Sequence, residues 1–356
     1  MATNQKPLIQ WDSGTAYDLF ASLHVLHHPE KFGLRGSWAA GVRSRLTATH
    51  RNTLEDAQKL FFSTPVAWVS SLPEPKDAAT VLWALGQIEP AERLPTLAFH
   101  TDISPELMEI LNDVLSKGSW KESDLDHLGS YHQQKEGPPT SDELVTTLNW
   151  WSHAIEFGEH YLAALQSYVA VFFAEEERRI RPYLGQALIR AQELATQLDF
   201  PHLMVELSQG VKIAAFEEAD EVRFVPSYWT TPLVMYDSVR TKHWVVLFGA
   251  RPAEVALVPG EVVPDAMLRA LKALADPTRL LILRYLSSKP QTPSQLARRL
   301  RLRAPTVIHH LSALRLAGLV YISLEQEGEK RYTVRAQAVA DTFEVLRKFL
   351  SVKGEE

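Results

Sequence analysis

Arginines crowd around one predicted helix, over residues 304–317, whose exposed face carries short or modest side chains. That face holds Thr306, Ile308, His309 and Ser312, which would let the helix backbone come close to the edges of DNA bases. Guanidinium groups suit phosphate oxygens, which position a protein on a duplex without reading its sequence. The surrounding arginines are Arg298, Arg299, Arg301, Arg303 and Arg315. The segment is therefore a candidate surface for double-stranded DNA.

Capping signals define the elements that would position this helix. A helix over 266–275 is followed by Asp276-Pro277, which is an N-cap with proline at the first helical position. Thr292 with Gln295 three residues later is a capping-box pattern for a helix that ends at Leu300. Gly318 is placed to stop the helix over 304–317. Two short strands, 319–324 and 331–334, form a hairpin around Gly328, and a last helix carries Val339 to Leu350. This order predicts a winged helix-turn-helix domain.

In such a domain the second helix of the pair enters the major groove and the hairpin reaches the flanking backbone. Val307, His310, Leu311 and Leu314 share one face of the helix over 304–317 and should pack inward. The wing tip carries Glu325, Glu327 and Glu329, which phosphates would repel. In the wing only Lys330 and Arg331 therefore suit DNA. The predicted DNA-binding residues are Ser294, Gln295, Arg301, Arg303, Thr306, Ile308, His309, Ser312, Arg315, Lys330 and Arg331.

Three segments of this domain resemble the ArsR-type regulators: LKALADPTRLLILRYL (271–286), QLARRL (295–300) and APTVIHHLSALRLAGLV (304–320). The resemblance implies a repressor-type homodimer that pairs through the first and last helices of the domain. The residues that would form the dimer surface are Met267, Leu268, Leu271, Phe343, Leu346 and Phe349. More loosely, ASLHVLHHPEKF (21–32) and EVRFVPS (221–227) resemble larger ArsR-type proteins with an uncharacterised helical N-terminal domain.

The chain departs from the family at its metal positions. Metal-sensing members have cysteines before the third helix, where this chain has Thr292-Pro293-Ser294, and it contains no cysteine at all. The family's other metal site needs histidines on the last helix, and no histidine follows His310. Arg301 and Arg303 also replace the usual glycine of the turn and the usual serine N-cap. Losing such a cap typically costs about 1 kcal/mol. We therefore expect no metal site and no cofactor.

The preceding part of the chain reads as a helical domain that ends in a small β element. Helical spacing runs from an N-cap at Ser141 through Val169 and again over 183–198. Three apolar, partly β-branched segments, 221–225, 232–236 and 243–248, predict strands. The predicted fold class is mainly α with a small β element. The predicted domains are residues 1–250, a connector at 251–264 and the winged helix-turn-helix at 265–356.

The charge differs sharply between the two parts. Residues 1–264 hold 21 Lys and Arg against 34 Asp and Glu, whereas residues 265–356 hold 16 against 9, so the net charges are −13 and +7. A basic domain on an acidic one favours a nucleic-acid partner for the basic part. The chain lacks a signal-peptide pattern and any apolar run long enough to span a bilayer. These features predict a cytoplasmic protein without a membrane partner.

The N-terminal part carries candidate ligand residues of two kinds. Trp150, Trp151, Tyr228, Trp229 and Trp244 could wall a pocket for a small organic effector, although core packing also explains them. His153, Glu156 and His160, and likewise His24, His27 and His28, lack the spacing of a zinc motif. No enzyme motif is present. Two alternatives stay open: a metabolite-binding or enzyme-like N-terminal domain with secondary DNA binding, and a winged helix used for protein assembly.

Overall fold

The computed structural model describes residues 6–32, 34, 36–61, 64–99, 103–132, 139–252, 255, 264–324 and 330–351. Within these ranges the first two hundred residues are almost entirely helical, and short strands follow. The helices of this N-terminal part are α1 (Thr15–His27), α2 (Gly36–Arg43), α3 (Ala48–Leu60), α4 (Val66–Ser70), α5 (Ala78–Gln87), α6 (Pro90–Ala98), α7 (Pro105–Lys117), α8 (Glu122–His132), α9 (Ser141–Ser152), α10 (Ala154–Tyr168), α11 (Ala174–Gln197), α12 (Phe200–Leu207) and α13 (Ala214–Glu217). A mainly α fold with small sheets is therefore confirmed.

The predicted long helix from Ser141 differs from the structure at its start and in its middle. Thr140, not Ser141, is the N-cap, because its hydroxyl accepts from the backbone N–H of Glu143 while the Glu143 carboxylate accepts from the backbone N–H of Thr140. The helix then ends at His153, and α10 starts directly after it. Two helices instead of one allow α10 to pack against both α3 and α6.

The predicted helix over 183–198 begins nine residues earlier in the structure. Residues Val169–Phe173 form one π-helical turn, and α11 continues from Ala174 with Pro182 inside it. Proline usually breaks a helix interior because it lacks an N–H and its ring crowds the preceding turn. Here Pro182 lies inside α11, so the predicted start of the helix at residue 183 is wrong.

The N-terminal part holds a mixed four-stranded sheet in the order β1 (Leu8–Trp11), β3 (Glu221–Ser227), β5 (His243–Gly249) and β4 (Met235–Arg240). The first three strands are parallel and β4 is antiparallel to β5. The predicted strand 232–236 is therefore shifted, since pairing begins at Met235 opposite Leu247. Pro232 has no N–H to donate to a ladder, which keeps it outside the strand.

A buried carboxylate joins α1 to the end of β3. Asp18 is fully buried and accepts from the Ser227 hydroxyl at 2.7 Å and from the backbone N–H groups of Tyr228 and Trp229 at 3.2 and 2.9 Å. Burial raises the pKa of Asp18 to about 6, and the three donors oppose that shift. The helical core and the sheet are thereby held together by directed hydrogen bonds as well as by apolar packing.

The C-terminal part follows the predicted order of elements. It comprises α14 (Asp265–Leu274), α15 (Pro277–Leu286), α16 (Pro293–Leu300), α17 (Ala304–Leu316), β6 (Val320–Leu324), β7 (Lys330–Val334) and α18 (Ala336–Ser351). Asp276 caps α15 by accepting from the backbone N–H of Arg279 at 2.9 Å. Thr292 and Gln295 form the complete capping box of α16. Gly318 has φ +69°, the left-handed conformation that ends α17. The winged helix-turn-helix fold is confirmed.

The two parts share a sheet. Strand β2 (Val211–Ile213) lies in the N-terminal part, yet it pairs in parallel with β6, which gives the order β2-β6-β7. The Ile322 N–H donates to the carbonyl of Gly210 at 2.8 Å. Ile322 and Leu324 of β6 also pack on the apolar core around α12. Most of the predicted connector, 251–264, lies outside the described residues, so that domain boundary remains a prediction.

Within the described ranges, no helix combines the length and the apolar character needed to cross a membrane.

Candidate nucleic-acid interface

The predicted polar face of α17 is open to solvent. Thr306, His309 and Ser312 are exposed, and Ile308 keeps 48% of its surface accessible. Val307, Leu311 and Leu314 are fully buried on the opposite face and form part of the C-terminal core. The helix is thus held from behind by apolar packing while its first two and a half turns stay open.

Two arginines stand at the N-terminus of α17. Arg303 is the N-cap, and its side chain makes no capping hydrogen bond. Arg301 ends α16 with φ +55°, a left-handed conformation that costs a non-glycine residue about 1–2 kcal/mol. Both side chains are exposed. The turn therefore lacks a capping hydrogen bond at Arg303 and contains a strained backbone at Arg301. These two residues place two guanidinium groups beside the N-terminus of α17.

The neighbouring helix α15 braces α17 through its own cap. The Asp276 carboxylate that caps α15 also lies 3.8 Å from Nδ1 of His310. The hydrogen bond from the backbone of Arg279 lowers the pKa of Asp276, and the charges of Arg279 and His310 act in the same direction. His310 is therefore a half-buried supporting residue, and the adjacent His309 is the exposed one.

The predicted contacts on α16 and the wing differ in their availability. Ser294 is exposed, but the Gln295 side-chain oxygen already accepts from the backbone N–H of Thr292 at 3.0 Å. On β7, Lys330 is exposed and Arg331 is half-buried. The wing-tip residues Glu325, Glu327 and Glu329 lie outside the described residues.

The prediction that Arg315 binds DNA is wrong. Its side chain is 8% exposed, and its guanidinium donates to the backbone carbonyls of Gln209 at 3.1 Å and Ser208 at 3.2 Å. Burial, together with the nearby charge of Arg335, lowers the pKa of Arg315 to about 10. Arg315 lies at the buried end of α17, where it links the winged helix to the end of α12.

The predicted dimer residues differ in their exposure. Phe343 is 55% exposed and Phe349 is also exposed, while Leu268, Leu271 and Leu346 are half-buried. Leu350, at the end of α18, is 72% exposed. Met267 is only 4% exposed because its own chain covers it, so its assignment to a dimer surface is wrong. Large apolar side chains of α14 and α18 therefore remain at least partly exposed, and Phe343 and Leu350 are the most exposed of them.

The five aromatic residues predicted to wall an effector pocket are not brought together. Trp151 packs on Phe99, and the indole N–H of Trp150 donates to Asp56 at 3.0 Å. The other three lie in two further clusters: Tyr228 packs on Tyr183 and Trp229 stacks on Trp38, while Trp244 packs on Phe216. Trp151, Tyr228 and Trp229 are fully buried. These side chains therefore pack against other residues of the N-terminal part and do not wall a common pocket.

The histidine-rich segments form no cage. His24 and His28 pack ring against ring at 4.6 Å, and His27 bonds to the carbonyl of Leu23. His153 bonds to the carbonyl of Asn149, away from the 4.0 Å pair of His160 with Glu156. Over the described ranges, no three His, Asp or Glu side chains stand close enough to hold a metal ion.

Sequence reasoning missed the segment that joins the two parts of the chain. Ser208, Gln209 and Gly210 supply three backbone carbonyls to the winged helix, two to Arg315 and one to Ile322. Gly210 has φ +95°, and a Cβ there would overlap the Tyr321 ring. The single glycine before a short β-branched run was the available signal, and it is a weak one.

Residues 276–321 match the family model "Bacterial regulatory protein, arsR family". The chain is 38% identical over 79 residues to a probable mercury resistance operon repressor from Streptomyces lividans. That match covers 22% of this chain and 62% of the relative, which is less than two thirds of its length. Two solved structures are similar to about a quarter of the chain. HlyU from Vibrio cholerae N16961 has 29% identity, covers 24% of this chain and 94% of its own, and gives a TM-score of 0.20. NolR from Sinorhizobium fredii has 26% identity, covers 25% and 88%, and gives a TM-score of 0.21.

Proposed function

We propose, from the premise that residues 276–321 form an ArsR-family helix-turn-helix, that this chain is a transcriptional regulator that binds specific double-stranded DNA as a homodimer. The observation that carries the proposal is the open face of α17, with the exposed arginines Arg301 and Arg303 at its start. The name of the Streptomyces lividans relative supports a repressor. We expect it to act in the cytoplasm, where its DNA target would lie.

Two kinds of residue at α17 would contact DNA, one kind at the base edges and the other at the phosphates. His309 and Ser312 lie on the exposed side and can donate to or accept from base edges. Arg301 and Arg303 lie at the helix N-terminus, where a phosphate is also favoured by free backbone N–H groups. Loss of a base-contacting residue lowers specificity, whereas loss of a phosphate-binding residue weakens binding to every sequence.

Binding to a duplex selected from a randomised pool tests this function, with fluorescence anisotropy measured over a series of salt concentrations. Each phosphate contact adds about 0.9 to the slope of log affinity against log salt. In a dimer Arg303→Ala removes two such contacts and should lower the slope by about 2. The matched control is Arg178→Ala, which removes an exposed arginine from α11. His309→Ala should cost about 1–3 kcal/mol on the selected duplex and little on unrelated DNA.

Two results would contradict the proposal. One is a selected duplex that binds no more tightly than an unrelated duplex at moderate salt. The other is a salt slope for Arg303→Ala that equals that of Arg178→Ala.

A second copy of the chain is the proposed cover for the apolar surface around Phe343. The two-fold pairing of α14 and α18 would bury this surface and present two α17 helices about one turn of DNA apart. Sedimentation equilibrium should show a dimer at micromolar concentration, and Phe343→Glu should shift it to monomer. Ile155→Glu is the matched control, because Ile155 is 61% exposed but lies on α10. If the unmodified chain sediments as a monomer, the proposed dimer is refuted. That result does not test whether α17 contacts DNA.

The proposed regulator does not sense metals through thiolates. Mercury is a soft metal that prefers thiolate ligands, and this chain contains no cysteine. We expect mercuric ion, arsenite and peroxide to leave DNA affinity unchanged relative to a chelated, reduced control. A saturable and reversible loss of affinity with any of them would refute this.

A further inference from the structure

A cleft lies where the N-terminal part meets the winged helix. Its volume is about 550 Å³, within the range of small-molecule sites. One wall comes from α11, the end of α12 and the end of β5, and the other comes from α14, the end of α17 and Arg335. A molecule in this cleft would contact both parts of the chain.

The charge lining the cleft is strongly positive. Among the described residues that line it, the charged side chains are four arginines, Arg190, Arg251, Arg269 and Arg335, and one acid, Glu206. Arg251 is buried and is fixed by hydrogen bonds to the carbonyls of Val255 and Thr231. Arg190 and Arg335 belong to opposite walls of the cleft, and an anion between these two guanidinium groups would be attracted to both.

Two of these arginines have capacity for a ligand. Arg335 stacks on the Tyr321 ring and donates through Nη1 to the carbonyl of Gly318 at 3.2 Å. Its Nε is buried without a hydrogen-bond partner among the described residues, which is costly for a charged donor. Arg190 is exposed and lines the cleft from α11. A guanidinium suits a planar or tetrahedral oxyanion, which it can bind with two parallel hydrogen bonds.

Apolar groups complete the lining. Leu194 of α11, Pro232 before β4 and Leu316 at the end of α17 contribute to the walls. A cavity with apolar walls and a few fixed charges selects a molecule that carries both an apolar body and an acidic group. An inorganic ion would leave the apolar walls uncovered.

We propose that this cleft is the binding site of a small organic anion, whose acidic group is bound by Arg190 and Arg335 and whose apolar part packs against Leu194 and Leu316. The ligand bridges the two parts of the chain next to α14 and the end of α17. Its effect on DNA binding rests on the function proposed above, whereas its binding does not. An effector that couples to DNA in this way typically changes affinity by 5–150-fold.

A pair of fluorescent probes tests the site: 8-anilinonaphthalene-1-sulfonate, which is anionic, and N-phenyl-1-naphthylamine, which has the same ring system without the sulfonate. The full chain should bind the sulfonate saturably, with one site per chain. Arg190→Gln should weaken that binding at least tenfold and leave the neutral probe unaffected. Arg178→Gln, on the same helix but outside the cleft, is the matched control.

A second variant, Arg335→Gln, should have the same effect, and thermal unfolding verifies that it still folds. Since Arg190 is exposed, Arg190→Gln decides the question even if Arg335→Gln does not fold. Equal affinities of Arg190→Gln and Arg178→Gln for the sulfonate would overturn the proposed site. So would equal binding of the two probes to the unmodified chain.

The probe titration contains no DNA, so its result stands apart from the proposed function. Adding the sulfonate to the chain bound to its selected duplex then tests regulation. We expect at least a fivefold change in duplex affinity, which Arg190→Gln abolishes. An unchanged duplex affinity with bound probe would refute the regulatory role alone, and absence of any specific duplex would refute the proposed function alone.

Discussion

Replacing Gly210 with alanine should open the pairing of β2 with β6 at Gly210 without unfolding the winged helix or the N-terminal part. Gly210 has φ +95° and lies directly before β2. An alanine Cβ would overlap the Tyr321 ring, whose Cγ would lie 2.8 Å away. Arg335 stacks on that ring, so the ring cannot move without disturbing a second contact.

Two costs combine at this position. A left-handed backbone costs an alanine about 1–2 kcal/mol. Forcing a methyl group into a filled contact costs typically about 1–3 kcal/mol. The sum is about 2–5 kcal/mol, whereas the hydrogen bond from Ile322 to Gly210 contributes only about 1 kcal/mol. Local opening of the contact between Gly210 and Ile322 is therefore the cheaper response, because the packing of Ile322 and Leu324 and the two hydrogen bonds of Arg315 can stay in place.

Amide hydrogen exchange measures this opening directly. The amide of Ile322 donates to Gly210, so it should exchange at least about thirtyfold faster in Gly210→Ala, which corresponds to 2 kcal/mol. Amides inside α10 should be unaffected. The matched control is Gly185→Ala, since a Cβ at Gly185 meets nothing within 4 Å. That change lies inside α11 and should stabilise the chain by about 0.5–1 kcal/mol.

Protection of Ile322 within threefold of the unmodified chain would refute the reasoning. It would mean that the pairing of β2 with β6 tolerates both the strain and the overlap at Gly210.

Three further changes have expected outcomes. Arg303→Ser should restore a capping hydroxyl and raise the free energy of unfolding by about 1 kcal/mol, while it weakens binding to all duplexes; a parallel change of both quantities would contradict this. Arg301→Gly should relieve the left-handed strain and raise the urea midpoint, again at the expense of DNA affinity. Burial lowers the pKa of His24 to about 4, so the folded state binds fewer protons than the unfolded state below about pH 6.5. The free energy of unfolding should therefore fall by about 2 kcal/mol from pH 7 to pH 4.5. The fall should be smaller in His24→Gln. An identical pH dependence in both chains would refute the assignment.

The C-terminal domain could be predicted from sequence because its signals are local. Asp276, Thr292 with Gln295, and Gly318 each act within four residues of themselves, and each lies in the structure where its pattern places it. Helical periodicity then sorted α17 into a buried face and an open face. The chemistry of the candidate interface follows from which residues fall on the open face.

Local signals were less reliable in the N-terminal domain. The helix predicted from residue 183 begins at Ala174 in the structure, and Pro182 lies inside it. A continuous apolar periodicity concealed the break at His153. Both errors have the same origin, since packing around α10 and α11 outweighs the preferences of single residues over such a long helical region.

The sequence by itself determined the winged helix-turn-helix, its capping residues, the open face of α17 and the contrast in charge between the two parts of the chain. Only the tertiary structure decided that Arg315 faces the N-terminal part, that β2 extends the wing sheet and that arginines from distant segments line one cleft. Arg315 and its acceptor on Ser208 are separated by 107 residues. A three-residue strand and a single arginine carry no pattern of their own, so their roles depend on partners that only the folded chain brings near.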